Sequence, residues 1–126
     1  MNANGYYNGF SPAERTGTLA IVRAAIENGT LPKPISCSVC RDQPTNQLQW
    51  HSEDYRRPLE AHPICRGCHV RVHGRFRNPG RWKEYMNRIP SGWVHSLSVD
   101  PRTLTRPFDE TYPNGVPPLL STYGGN

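Results

Sequence analysis

Two Cys-x-x-Cys pairs, Cys37/Cys40 and Cys65/Cys68, lie 24 residues apart and constrain this chain more than any other feature. A two-residue spacing lets a tight turn aim both thiolates at one point. Two such turns supply the four corners of a tetrahedral structural Zn²⁺ site. Closing that site brings the turns together and folds the loop between them, so metal binding and folding are coupled. Two disulfides are the competing use of four cysteines. The N-terminus, Met1-Asn2-Ala3-Asn4-Gly5, has neither the basic nor the apolar region of a signal peptide, and no apolar run approaches the ~18 residues of a membrane span. A cytoplasmic, reducing setting is therefore expected, in which such pairs serve as metal ligands.

With 126 residues, 35% of them apolar, the chain is expected to form a single domain, 1–126, with a modest core that a metal clip would reinforce. A packing helix is expected over 11–28. Ser11 can cap it, Pro12 suits the first helical position and Glu14 completes a capping box. Leu19, Val22 and Ile26 form its apolar stripe. Asn46 to His51 reads as a short strand, 52–62 as an ordered loop, and 68 to about 76 as a helix with Val72 and Phe76 inward. An accessory helix, 79–89, opens at Asn78-Pro79 and carries Trp82, Tyr85, Met86 and Ile89 at helical spacing. Five prolines after residue 90 predict a largely extended or looped C-terminal segment, 90–126, whose aromatic residues would wrap the body or meet a partner, with His95 in a short strand.

Charge is unevenly spread. The chain carries +5, yet residues 56–88 alone hold nine Arg or Lys against Glu60 and Glu84, a local +7. Arg56, Arg57, Arg66, Arg71, Arg75, Arg77, Arg81 and Lys83 are the candidate nucleic-acid contacts, since the planar guanidinium suits phosphate oxygens. A solubilising surface is the plainer use of the same charges.

His69 and His73 stand four apart on the expected helix, on one face, where both imidazoles can reach one ion. His51 ends the strand that the zinc clip brings beside that helix, and imidazole can accept a proton from water near neutral pH. Glu53 and Asp54 follow it, an acidic pair in a basic field. They suit a cation site, or alternatively a loop held through backbone amides. His62 and His95 carry little signal.

The stretch Cys37-Ser-Val-Cys40, Gln49-Trp-His51-Ser-Glu53-Asp54-Tyr55-Arg-Arg-Pro58-Leu59, Pro63-Ile-Cys65-Arg-Gly-Cys68-His69-Val-Arg-Val-His73 resembles the HNH endonuclease superfamily, in its small bacterial and phage branch with a four-cysteine zinc clip. The resemblance covers residues 37–76. It implies a small α+β fold with a ββα-metal core and structural zinc, and cleavage of double-stranded DNA leaving 5′-phosphates, as in restriction or phage nucleases. It also implies His51 as general base, His69 and His73 at a catalytic Mg²⁺ or Mn²⁺, and Arg71 or Arg75 stabilising transition-state charge. A homodimer would let two such units cut both strands. One position departs from the pattern: Trp50 stands where the family usually has Asp or His in the metal shell. Either Glu53 or Asp54 replaces that ligand, the ion keeps extra waters, or catalysis is lost.

Two other functional classes fit the same residues. A non-catalytic zinc module would bind DNA or RNA through the arginine-rich region without divalent ions and without cleavage. A protein-interaction adaptor would use the aromatic, proline-rich C-terminal segment.

Overall fold

A computed structural model describes residues 5–41, 48–90 and 92–116 of this small α+β chain. The expected strand start at Asn46 and the last ten residues lie outside that set. In chain order the elements are α1 (Pro12–Glu27), β1 (Leu48–His51), β2 (His62–Cys65), α2 (Arg66–Gly74), α3 (Pro79–Met86) and α4 (Phe108–Thr111), with single 3₁₀ turns at Pro58–Glu60, Trp93–Ser96 and Pro101–Leu104.

The two strands pair antiparallel, with Leu48 opposite Cys65 and His51 opposite His62. β2 runs directly into α2, because the Cys65 sulfur accepts from the Cys68 amide at 3.5 Å and caps the first turn. That cap starts the helix at Arg66, two residues before the position its apolar spacing suggests. Strand alternation puts Gln49 and His51 on one face and Leu48 and Trp50 on the other.

The main core gathers Cys37, Val39, Ile64, Cys68, Val72, Trp82, Trp93 and Phe108. Fully burying a residue such as Ile64 or Val72 contributes roughly 1.5–3 kcal/mol. Segment 92–116 is not extended. Trp93, Val94, Leu97, Phe108 and Tyr112 are buried in this core, and Pro101 opens a short helical turn rather than continuing an extended strand. His95 accordingly sits in a 3₁₀ turn, not in a strand.

The capping box of α1 is present: Ser11 Oγ accepts from the Glu14 amide and the Glu14 carboxylate accepts from the Ser11 amide. Its buried face, however, is Thr18, Val22 and Ala25, while Leu19 is 44% exposed. Thr18 turns inward because its hydroxyl donates to the Tyr55 carbonyl at 2.7 Å. Val22 and Ala25 join Leu31 in a second small cluster, against which Ile26 and Trp50 pack. At α3, Asn78 precedes the helix but its side chain makes no capping bond.

Ahead of α1, Tyr7 and Phe10 exchange backbone hydrogen bonds of 3.1 and 2.9 Å around Asn8 and Gly9, both at positive φ. Asn-Gly is the pair that such a two-residue turn favours. A Cβ on Gly9 would lie 2.4 Å from the Arg106 carbonyl oxygen, so only glycine lets the turn dock there. Docking seats Tyr7 and Asn8 in the interior.

Candidate metal centres

Two clusters of metal-ligating side chains form around the β1–β2–α2 unit. The first contains Cys37, Cys40, Cys65 and Cys68, whose sulfurs all lie within 4.8 Å of one another. Cys37–Cys40 is tied to β2 by Ser38, whose amide and hydroxyl both donate to the Pro63 carbonyl, at 2.8 and 2.6 Å. Trp93 Nε1 donates to the same hydroxyl at 3.0 Å and locks it. A hydrogen bond from Cys68 holds the Cys37 thiol well below its usual pKa. Burial opposes this, and backbone amides around the sulfur assist it. This is a set of four soft donors held close enough for one ion. The donor set fits zinc. Tyr85 adds a hydroxyl 2.8 Å from the Cys68 sulfur.

The second cluster is His51, His69 and His73, each offering a nitrogen within the same 4.8 Å limit. His69 and His73 project from one face of α2, and their Nε2 atoms stand 3.0 Å apart. Two imidazoles on one tetrahedral ion at ~2.0–2.1 Å would place those atoms about 3.3 Å apart. His69 Nδ1 is 2.5 Å from Gln49 Oε1; as an amide oxygen can only accept, Nδ1 carries the proton and the Nε2 lone pair faces His73 Nε2, which an ion between the two rings would have to deprotonate or turn. Loss of solvation and then the charge of His51 lower His69 to about 4, and the same causes lower His73. Both rings are therefore neutral near pH 7, the form that ligates a metal.

His51 is only 2% exposed, and its Nε2 meets Glu53 Oε2 at 2.5 Å. Glu53 is buried as deeply and fully engaged. Tyr7 Oη donates to Oε2 at 2.5 Å, and Asn8 Nδ2 to Oε1 at 2.7 Å. Arg75 donates to Tyr7 Oη at 2.8 Å and to the Ser98 and Val72 carbonyls, with its second nitrogen 3.9 Å from Glu53. Burial would raise the Glu53 carboxyl. The bond and charge of His51, the charge of Arg75 and the Tyr7 hydroxyl outweigh it and hold the group at about 2. Nε2 is taken by Glu53, so Nδ1 is the His51 nitrogen that this carboxylate does not engage.

Several sequence-based assignments change. Glu53 is not a free replacement ligand, since its oxygens are spent on Tyr7, Asn8 and His51. Asp54 points elsewhere, pairing with Arg56 at 2.9 Å and Arg57 at 3.6 Å. Trp50 packs against α1 and lines the cleft beside the imidazoles, where its indole has no lone pair for an ion. Arg75 is 0% exposed and cannot be a DNA contact. Arg71 lines a groove between α2 and α3, away from the imidazoles, with its guanidinium 4.6 Å from the Tyr85 ring centre. His62 is structural, stacked on Trp93 at 4.0 Å.

The imidazoles open into a cleft of about 370 Å³ whose opposite wall is α1, through Arg15, Thr18 and Leu19. The guanidinium beside this cleft is thus Arg15, anchored to Tyr55 Oη at 3.2 Å and to the Gly5 carbonyl at 2.6 Å. Neither α1 nor the Tyr7-Asn8 turn was expected to touch the site. The Asn8-Gly9 dipeptide was the available signal for the turn, and strand alternation with His51 was the one for Gln49. Among the described residues, no helix is long and apolar enough to cross a membrane. Comparison with protein-family models, with curated proteins and with solved structures finds no match for this chain.

Proposed function

We propose that this chain is an HNH-type, metal-dependent endonuclease with a ββα-metal core, hydrolysing DNA to leave 5′-phosphate ends. The observation that carries the reading is the imidazole triad on β1 and α2. Its two helix nitrogens converge at 3.0 Å, and its third ring is backed by a buried carboxylate. The four cysteines would hold a structural Zn²⁺ that ties the Cys37–Cys40 turn to the start of α2. His69 and His73 would hold the catalytic ion. A divalent cation there would neutralise the scissile phosphate and stabilise the departing 3′-oxygen.

His51 takes the proton of the attacking water through Nδ1. Glu53, bonded at Nε2, fixes the ring's orientation and favours the imidazolium as it forms. This is the task that a buried carboxylate performs for a histidine base. Arg15, across the cleft, faces the phosphate and takes the charge-stabilising place that the resemblance gives to Arg71 or Arg75.

The test is incubation of zinc-loaded protein with supercoiled plasmid, with and without Mg²⁺ or Mn²⁺, followed by mapping of the ends. Nicked or linear product bearing 5′-phosphates is expected only with the added ion. No cleavage across divalent ions and varied duplexes would leave the non-catalytic zinc module. One observation favours that second reading: Trp50 is committed to packing and offers the ion nothing.

A further inference from the structure

We infer that the groove between α2 and α3 is a separate anchoring site for the backbone of duplex DNA, distinct from the imidazole cleft. The inference rests on the endonuclease reading for its choice of DNA, but not for the site itself. The groove is about 740 Å³, and Arg66, Arg71, Arg81 and Arg88 line it, all exposed.

Charge pairing separates these arginines from Arg56, Arg57 and Arg102. Arg56 and Arg57 are neutralised by Asp54, Asp109 and Glu60, and Arg102 by Asp100. Among the described residues, none of the four groove arginines pairs with a carboxylate, although Glu84 lies in the same groove. Four unneutralised guanidiniums facing one concave surface repel one another, and a polyanion relieves that repulsion.

The groove and the cleft share α2 but use different faces. At about 100° per residue, His69 and His73 fall on one side, and Gly67, Val70, Arg71 and Gly74 are centred on the other. The two sites are therefore separated by roughly one helix diameter, about 10 Å. A polymer held in the groove can present a different phosphate to the cleft.

The occupant is a backbone rather than splayed bases. Single-strand sites stack bases on exposed aromatic rings. Here Trp82 is only 6% exposed, and the Tyr85 ring is engaged by Arg71 at 4.6 Å and Arg88 at 5.5 Å. Tyr85 also bonds the Cys68 sulfur, so the cysteine cluster holds the ring against which two of the arginines rest.

The experiment measures binding of full-length, zinc-loaded protein to a 30-base-pair DNA duplex, by anisotropy across salt and without Mg²⁺ or Mn²⁺. The double variant Arg71→Gln/Arg88→Gln should lower the slope of log affinity against log salt by about 1.8, or roughly 0.9 for each phosphate no longer neutralised. Arg66→Gln/Arg81→Gln, which leaves Tyr85 untouched, should do the same. The control Arg102→Gln/Arg106→Gln should leave the slope within about 0.5 of wild type. Wild-type slopes in both groove variants would overturn the proposal. So would equal or tighter binding of single-stranded DNA or duplex RNA. Zinc loss with unchanged affinity would also overturn it, by showing that the arginines only balance the thiolates. Cleavage is read separately. An inactive wild type whose slope still depends on the groove sinks the nuclease reading alone, and an active enzyme indifferent to the groove variants sinks this proposal alone.

Discussion

The cysteine cluster and the histidine cluster grow from the same two strands and helix, yet they are built in opposite ways. In the first, Cys37 and Cys68 are buried, and the supporting hydrogen bonds come mainly from the backbone and from Ser38. In the second, His69 and His73 reach a cleft, and the support comes from side chains distant in sequence, Tyr7 and Asn8 on one strand-like turn and Arg75 just past α2. A closed set of four soft donors suits an ion that holds a fold. An open set of three imidazoles leaves coordination positions for something else. The contrast teaches where to expect stability to fail and where chemistry should.

The largest effect should follow removal of a cysteine. Cys65→Ala takes away one ligand and also the sulfur that caps α2 at the Cys68 amide. Structural zinc in comparable small units contributes about 10–16 kcal/mol of apparent folding free energy. The β1–β2–α2 unit should lose cooperative unfolding and its stoichiometric zinc, measured by circular dichroism and elemental analysis. A C65A protein that keeps its fold after chelation would erase the distinction between the two clusters.

Next comes His51→Ala, expected to cut the chemical rate by roughly 10²–10⁴-fold while zinc content and fold persist. Two tasks fit this ring, and they predict different losses. Removing a base lowers the single-turnover rate at every ion concentration, whereas removing a ligand is partly offset by more Mn²⁺. Full cleavage by H51A would remove the residue from the mechanism altogether.

How much of this was legible in the sequence follows the range of the interactions. The Cys-x-x-Cys turns and the Ser11-Pro12-Glu14 cap are local, and residue type at fixed spacing determines them. His69 and His73 were visible as an i, i+4 pair. Glu53 was visible as a chemically interesting carboxylate, but its task was not. Nothing near it in the chain says that Tyr7 and Asn8, some 45 residues away, will take up its oxygens. Arg75 misled for the complementary reason. Composition counts a charge and cannot see that the side chain folds inward to bond Tyr7 and the Ser98 carbonyl. The C-terminal segment departs from expectation because proline frequency outweighed Trp93, Phe108 and Tyr112, whose burial fixes its path.

Glu53→Gln tests the buried support and should have an intermediate effect. Second-layer partners of metal-site histidines typically carry 10–100-fold in affinity or activity, and a loss in that range is expected here. The carboxyl also has a pH signature. Its pKa is about 2 when folded against 4.5 ordinarily, so its contribution is complete above pH 4.5 and lost as pH falls towards 2. The difference corresponds to about 3 kcal/mol. Urea unfolding of wild type should weaken steeply across that window, and E53Q should flatten the dependence. Parallel curves for the two proteins would mean that Glu53 is not the group being titrated.

The smallest effect should come from Gln49→Ala, and it probes the exposed side of the same cluster. Gln49 fixes the His69 tautomer by accepting from Nδ1, leaving Nε2 to face His73. Unlike Glu53 it is solvent-exposed, so water can take over the amide oxygen's place at little cost. The ring then samples both tautomers, and only the fraction with a free Nε2 lone pair can ligate. Ion affinity should fall by a few-fold, with no more than ~0.5 kcal/mol change in stability, as expected for a surface substitution. Titration with Co²⁺, following its visible absorption in zinc-loaded protein, reads this directly and needs no cleavage. Gln49→Glu should recover or exceed wild-type affinity, because a carboxylate accepts the same Nδ1 proton and raises the basicity of Nε2. Tighter Co²⁺ binding by Q49A, or equal binding by all three proteins, would mean that the His69 ring is held by α2 packing and not by β1. The two strands would then contribute to this centre only through His51.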